Sequence, residues 1–237
     1  MERETMLRAL ITGANRGLGF EFARVYLARG EHVFAGVRPT ANADALKALP
    51  VAAGGQLTML SMDVTDENAI DDAVKRIASR TNGLDLLINN AGRLTRGETP
   101  TNVKAETMLS EYHVNAVAPM MVAQKCLGLL GAGQHPRIIN LVSMVGSPGD
   151  KADGSFYSYH ASKVALHLLT RALAFDLKGE GIIVAAVCPG WARTEMSEGE
   201  GPLSPSESAA AMVQVIDRLV ESDSGCCYDW TGETKPL

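Results

Sequence analysis

Residues 7–19 read Leu-Arg-Ala-Leu-Ile-Thr-Gly-Ala-Asn-Arg-Gly-Leu-Gly: an apolar run without polar alternation, then three glycines within seven residues, then a helical pattern. An apolar run of this kind is what a strand covered on both faces looks like. The glycines permit positive φ and close backbone approach, and the start of the following helix offers unpaired N–H groups to a pyrophosphate. The spacing is Gly-x3-Gly-x-Gly rather than GxGxxG, and no Gly-Lys-Ser/Thr follows, which excludes a P-loop. A glycine-rich turn that binds nothing would read the same in isolation. Its place directly after the first strand favours a dinucleotide.

Working outward, strand-like and helical patterns alternate along nearly the whole chain. Strands are expected near 6–12, 32–37, 56–62, 84–89, 136–142, 182–188 and 226–230. Helices are expected near 17–29, 41–48, 66–79, 103–130, 155–178 and 206–221. Such alternation with right-handed crossovers gives an α/β fold, a doubly wound Rossmann-type parallel sheet of about seven strands with helices on both faces. There is no internal repeat or low-complexity linker. The Gly/Pro/Ser clusters at 146–154 and 197–206 have loop length, so residues 1–237 read as a single domain with a short substrate loop near 191–206. Ligands of such a sheet bind at the carboxyl ends of its strands, and every motif below falls there.

The 237 residues are 46% hydrophobic and 21% charged, which excludes a disordered chain. The net charge of −5 and the 5% aromatic content argue against nucleic-acid binding. Four cysteines and five scattered histidines form no zinc-ligand spacing, so no metal is expected. The thiols read as core residues of a reducing compartment. The mixed-charge start runs straight into a strand without a signal peptide, and the stretch 114–133 is broken by Pro119 and Lys125. The expectation is a cytoplasmic protein with no membrane partner.

The second strand, His32-Val-Phe-Ala-Gly-Val-Arg38, bears on which dinucleotide binds. An NAD site places Asp or Glu at this strand's end to hold the ribose hydroxyls. Here Glu31 comes too early, Asp44 too late, and Arg38 holds the end. With Arg16 in the glycine turn, two guanidiniums are available to clamp a 2′-phosphate. Taken singly each is an ordinary surface arginine; together they point to NADP(H) over NAD(H).

Tyr159 and Lys163 stand four apart in a helical segment and share one face. A neighbouring ammonium favours the phenolate and is expected to lower the tyrosine pKa from about 10. Tyr-x3-Lys alone is a weak signal. It gains weight from Ser143 at the end of the 137–142 strand, which can donate to a carbonyl oxygen, and from Asn115 in the preceding helix.

In this order, Thr12-Gly-x3-Gly-x-Gly19, Asn89-Asn90-Ala91-Gly92, Asn115, Ser143, Tyr159-x3-Lys163 and Pro189-Gly190 resemble the single-domain short-chain dehydrogenase/reductases. The segment 184–194 and the tail Tyr228-Asp-Trp-Thr-Gly232 further resemble the subgroup of Sniffer carbonyl reductases and bacterial C-factor. The resemblance implies that Tyr159 protonates a carbonyl oxygen as hydride leaves a nicotinamide. Lys163 would tune Tyr159 and bind the nicotinamide ribose, Ser143 would orient the carbonyl, and Asn115 would hold a water leading to Lys163. Gly13, Asn15, Arg16, Gly17, Leu18, Gly19 and Arg38 would hold the phosphates and adenosine ribose. Asp63 and Val64 would face the adenine, Asn90, Ala91 and Gly92 the adjoining ribose, and Pro189, Gly190 and Thr194 the nicotinamide side. One departure is the 16-residue step from Ser143 to Tyr159, slightly long for the family; Tyr157 has the commoner offset but has Ala161, not a cation, four residues on. Tyr159 is therefore the expected acid, with Tyr157 packing or lining the pocket.

Met144, Val145, Phe156, Tyr157, Trp191 and Met196 would line a partly apolar, open pocket for an aldehyde or ketone, or the corresponding alcohol. His113, His160, Asp71, Asp72 and the pair Met120-Met121 are read as packing or surface residues. A nicotinamide-binding regulatory or signalling protein on the same scaffold is the alternative function. A sugar-nucleotide epimerase fits poorly, with only about 40 residues after Thr194. A homodimer or homotetramer is expected through the helices near 103–130 and 155–178.

Overall fold

The computed structural model describes residues 6–143 and 154–235. Among these residues eight strands form one sheet: β1 Arg8–Thr12, β2 His32–Val37, β3 Gln56–Ser61, β4 Leu86–Asn89, β5 Arg137–Leu141, β6 Ile183–Cys188, β7 Cys227–Asp229 and β8 Thr234–Lys235. Their order is β3-β2-β1-β4-β5-β6-β7-β8. The first seven run parallel, and β8 returns antiparallel to β7. The order reverses at β1, whose neighbours are β2 and β4, so a crevice opens beyond the carboxyl ends of β1 and β4.

The eighth strand was not foreseen. Asp229 Oδ1 accepts from the Thr231 N–H (2.8 Å), the Thr231 hydroxyl (2.5 Å) and the Glu233 N–H (3.1 Å), turning the chain back on itself. Lys235 then reaches Asp229 at 3.2 Å. A two-residue strand held by one carboxylate carries no hydrophobic period.

The apolar runs are unbroken because alternate residues serve opposite faces. Ala9 and Ile11 pack with Phe22, Tyr26 and Leu27 of α1 (Gly17–Ala28) and with Met212, Val213 and Ile216 of α7 (Pro205–Asp217). Leu10 points the other way, to Ile70 and Ile77 of α3 (Glu67–Ala78) and Val122 and Cys126 of α5 (Ala118–Leu130). Between α1 and α3, α2 is a single turn, Asp44–Lys47, shorter than the expected 41–48.

The helix expected over 103–130 is in fact three pieces: α4 (Ala105–Tyr112), a π-helical turn over His113–Val117, and α5. Pro119 explains the widening. It has no N–H to close onto the Asn115 carbonyl, and its ring would strike that carbonyl in a regular α-helix. The sequence thus places Asn115 in a deformed turn, where α4 and the turn both pack against α6 (Tyr157–Asp176).

Candidate active site

The glycine turn between β1 and α1 is built for close approach. Gly13 and Gly17 have φ of 65° and 54°. A Cβ on Gly19 would collide with the Gly13 carbonyl and lie 2.5 Å from Asn90 Nδ2. The first turn of α1 has no side-chain cap and no acidic residue, so its N–H groups and positive dipole end face the crevice. Across it, the Thr194 methyl lies 3.6 Å from where a Gly17 Cβ would stand. This cradle fits an anionic dinucleotide.

Several residues assigned by resemblance to the cofactor spend their side chains on the protein. Asn90 Nδ2 donates to the carbonyls of Thr12 (2.7 Å) and Gly13 (3.1 Å), while the Asn90 and Ala91 N–H groups donate to Thr12 Oγ1, both at 3.0 Å. They tie the end of β4 to the glycine turn. Asn15 Nδ2 donates to the Asn42 carbonyl at 3.0 Å. Asp63 opposes its own burial by accepting from the Thr65 N–H (2.9 Å) and hydroxyl (2.7 Å), and with the Arg38 charge these hold its carboxyl below the usual range. Val64 packs against the core beside it. Arg38 is exposed at the end of β2. Arg16 pairs with Glu195 of the loop after Gly190, which sequence reasoning did not foresee.

The catalytic candidates converge beyond β5 and β6. Tyr159 lies half-buried on α6, and the Ser143 side chain acts on its hydroxyl to favour the anion. Lys163, one turn on, donates to the Leu141 carbonyl at 2.8 Å, and its Nζ lies 5.7 Å from the Tyr159 ring centre. His167, a further turn along, meets the Ser143 carbonyl through Nε2 at 3.3 Å. Asn115 is fully buried. Its Nδ2 donates to Ser162 Oγ (2.9 Å) and the Arg93 carbonyl (2.8 Å), and its Oδ1 accepts from the Arg93 N–H (2.8 Å). Ser162 in turn donates to the Tyr159 carbonyl at 2.7 Å. Asn115 therefore reaches the Tyr159–Lys163 helix through Ser162.

The direction of the tyrosine shift differs from expectation. Burial pushes the Tyr159 hydroxyl above its ordinary range, Cys188 and Glu111 add to the rise, and the Ser143 hydrogen bond opposes it. Burial lowers the Lys163 ammonium to about 8. Burial outweighs the neighbouring charges, and Lys163 is not among the groups that move the phenol. Tyr159 is held in the protonated form, the form that can deliver a proton.

Of the pocket residues, Met144 and Val145 lie outside the described residues. Tyr157 opens α6 with its hydroxyl 3.9 Å from a Cβ built on Gly154. Phe156, just before α6, has φ of 55° and carries the Arg96 guanidinium 5.6 Å above its ring. Arg96 also donates to the Met196 carbonyl (2.9 Å) and pairs with Glu198 (3.3 Å), binding the 191–203 loop to the mouth. The Met196 methyl lies 3.5 Å from where a Gly92 Cβ would stand, beside Asn115. Trp191 is largely exposed, whereas Trp230 packs onto Gly190, where a Cβ would come within 2.7 Å of the indole. Pro189 accepts from Ser208 at 2.7 Å, anchoring the segment before the loop to α7. Arg96, Glu98, Glu111, Ser162 and Trp230 were missed. Only Glu111 and Ser162 carried a signal: each stands four residues from an assigned or neighbouring residue on a helix face, Asn115 and Ser158 respectively.

Among the described residues no group of three or more His, Cys, Asp or Glu side chains is placed to hold a metal, and no helix is long and apolar enough to cross a membrane. Asp71, read as a surface residue, pairs with Lys125 of α5 at 2.9 Å.

Comparison with known proteins agrees with this arrangement. Residues 8–202 match the short chain dehydrogenase family. C-signal of Myxococcus xanthus is 33% identical over 66% of this chain and 94% of its own length. A solved structure of NADPH-bound carbonyl reductase from chicken fatty liver superposes with a TM-score of 0.90 at 32% identity, covering 98% of this chain and 99% of that one. Carbonyl reductase Sniffer of D. melanogaster gives 0.89 at 31%, covering 98% and 100%. With the glycine cradle, the Ser143–Tyr159–Lys163 cluster and matches of this extent, the chain belongs to the short-chain dehydrogenase family, among relatives that include the Sniffer carbonyl reductases and C-signal.

Proposed function

We propose that this oxidoreductase reduces an aldehyde or ketone to an alcohol with NADPH. The observation that carries the reading is Lys163 on the same helix face as Tyr159, its Nζ 5.7 Å from the Tyr159 ring centre, with Ser143 held beside them through His167, in a chain whose glycine turn opens at the start of α1. The cofactor, when bound, supplies the hydride. Ser143 orients the carbonyl by donating to its oxygen, and Tyr159 delivers its proton to that oxygen. Lys163 and Asn115, linked through Ser162 and the backbone of α6, hold Tyr159 and lead the replacement proton inward. The glycine turn takes the pyrophosphate, with Arg16 and Arg38 on the 2′-phosphate. Gly92, Pro189, Gly190 and Thr194 bound the nicotinamide end. Phe156, Trp191 and Met196 favour a substrate with an apolar or aromatic group.

The test is cofactor consumption across a panel of carbonyl compounds. NADPH should be oxidised fastest with uncharged aromatic aldehydes and ketones, and NADH poorly. Turnover confined to highly charged carbonyls, or faster with NADH, would sink the reading.

A second reading, a nicotinamide-binding signalling protein, is favoured by the likeness to C-signal. It predicts a cellular effect that survives loss of the Tyr159 hydroxyl, whereas the reductase reading predicts loss of both. The four cysteines, all among the described residues, form no disulfide, in keeping with a reducing, cytoplasmic setting. Homodimerisation is proposed through the apolar side chains that α4 and α6 leave exposed, Leu109, Tyr112, Leu168 and Phe175. Sedimentation should give a mass that falls to one chain when Leu168 and Phe175 are both replaced by aspartate; an unchanged mass would place the interface elsewhere.

A further inference from the structure

The helix that carries Tyr159 begins without a cap from its own sequence. Its N-cap position is Phe156, in left-handed backbone at φ 55°, whose ring offers no acceptor, and its first turn holds no acidic residue. The helical ladder opens with the His160 N–H on the Phe156 carbonyl at 2.9 Å. The N–H groups before His160 therefore need acceptors from outside the helix. One of them belongs to Ser158, which is buried away from water.

Glu98 supplies that acceptor from 60 residues away. Its Oε2 accepts from the Ser158 N–H at 2.9 Å, and its Oε1 accepts from the Ser158 hydroxyl. Glu98 is itself buried, so these two bonds offset the desolvation of its carboxyl group. A carboxylate at this end also suits the helix dipole. Two residues earlier, Arg96 lies 5.6 Å above the Phe156 ring, so the same segment grips the residue before the helix as well.

Tyr159 follows Ser158 directly, and the 93–98 segment reaches it from the other side too. Arg93 exchanges two hydrogen bonds of 2.8 Å with Asn115, which donates to Ser162 Oγ at 2.9 Å. Ser162 closes the circuit by donating to the Tyr159 carbonyl at 2.7 Å. The Tyr159 backbone is thus held at the preceding residue through Glu98 and at its own carbonyl through Arg93, by the two ends of one short segment.

We propose that Glu98 is a positioning residue for Tyr159: a helix cap supplied by a distant segment, which fixes the first turn of α6 so that the Tyr159 hydroxyl stays aimed at the carbonyl oxygen. A general acid acts only within hydrogen-bond reach of the atom it protonates, and a small misplacement costs rate. This rests on Tyr159 being the acid in the reaction proposed above.

Glu98→Met removes both acceptor oxygens and keeps the side-chain length, whereas Glu98→Gln keeps one oxygen for the Ser158 N–H. Reduction of 4-nitrobenzaldehyde is read as kcat per NADPH-binding site, so that any unfolded fraction drops out. Glu98→Met should lower it about tenfold, the rate equivalent of a lost helix cap, and Glu98→Gln should recover it to within about threefold of the parent. The NADPH dissociation constant should stay unchanged in both, a split that a merely structural role would not give. Ser158→Ala should cost about threefold in the parent and nothing further in Glu98→Met, because the two residues act through one contact. The proposal is overturned by full turnover in Glu98→Met, by no recovery in Glu98→Gln, by losses that multiply in the double variant, or by NADPH binding lost in step with turnover. If Glu98→Met does not fold, Ser158→Ala decides, and an unchanged kcat there overturns it. Failure of the underlying reading has a different signature: turnover that survives in Tyr159→Phe alone.

Discussion

Replacing Tyr159 by phenylalanine should lower carbonyl reduction by about a hundred- to ten-thousand-fold, the usual worth of a positioned general acid. The substitution removes one hydroxyl from a half-buried ring, and with it the interaction of that hydroxyl with the Ser143 side chain. The aromatic packing of Tyr159 against His160, whose ring centre is 6.0 Å away, is kept. The cradle at Gly13, Gly17 and Gly19 belongs to the β1–α1 turn, far along the chain from α6, so cofactor affinity should stay within a few-fold. Steady-state turnover and NADPH titration on the same preparation check this. Weakened NADPH binding in step with turnover would mean Tyr159 holds the cofactor more than it donates a proton, and substantial remaining turnover would reassign the acid. The direction of the tyrosine shift sharpens the expectation. Because burial holds the phenol protonated, reduction should persist to higher pH than a solvated tyrosine would allow, and oxidation should need alkaline conditions.

Arg38→Asp is the second large effect, here on cofactor choice. A charge-assisted hydrogen bond is worth about 1.5–3 kcal/mol, so losing the Arg38 contact to a 2′-phosphate costs about 10- to 100-fold in NADPH affinity. An aspartate at the end of β2 also repels that phosphate and can accept from ribose hydroxyls. The ratio of kcat/KM for NADPH over NADH should therefore fall by more than a hundredfold. A ratio within threefold of the parent would remove Arg38 from the phosphate site. Arg16 should matter less. It must give up Glu195 first, and although an exposed pair of this kind is worth only about 0–1 kcal/mol, that cost is subtracted from whatever Arg16 gains on the phosphate.

The order of strands and helices was legible because each apolar run records two buried faces. Ala9 and Ile11 answer to α1 and α7, and Leu10 answers to α3 and α5. The glycine turn was legible for a similar reason: only a missing Cβ tolerates the approach of Asn90 and the Gly13 carbonyl to Gly19. The π turn at 113–117 was signalled by Pro119, but its effect on Asn115 depends on what α4 packs against. The short strand β8 was not legible, since one carboxylate, Asp229, rather than a periodic pattern, bends the chain back.

What the sequence determined by itself, then, is whatever is encoded by neighbours in the chain: strand runs with period-two sidedness, the Gly-x3-Gly-x-Gly turn, and the four-residue spacing that puts Tyr159 and Lys163 on one helix face. What only the tertiary structure decided is how distant segments load those residues. Ser162 relays Asn115 to α6, and Glu98 caps the first turn of that helix. Arg16 is already paired with Glu195 from the other end of the chain. Burial and charge act through space and depend on which groups the fold brings within a few ångströms. That is why the tyrosine shift, expected downward from its helical neighbour, runs upward in the folded chain.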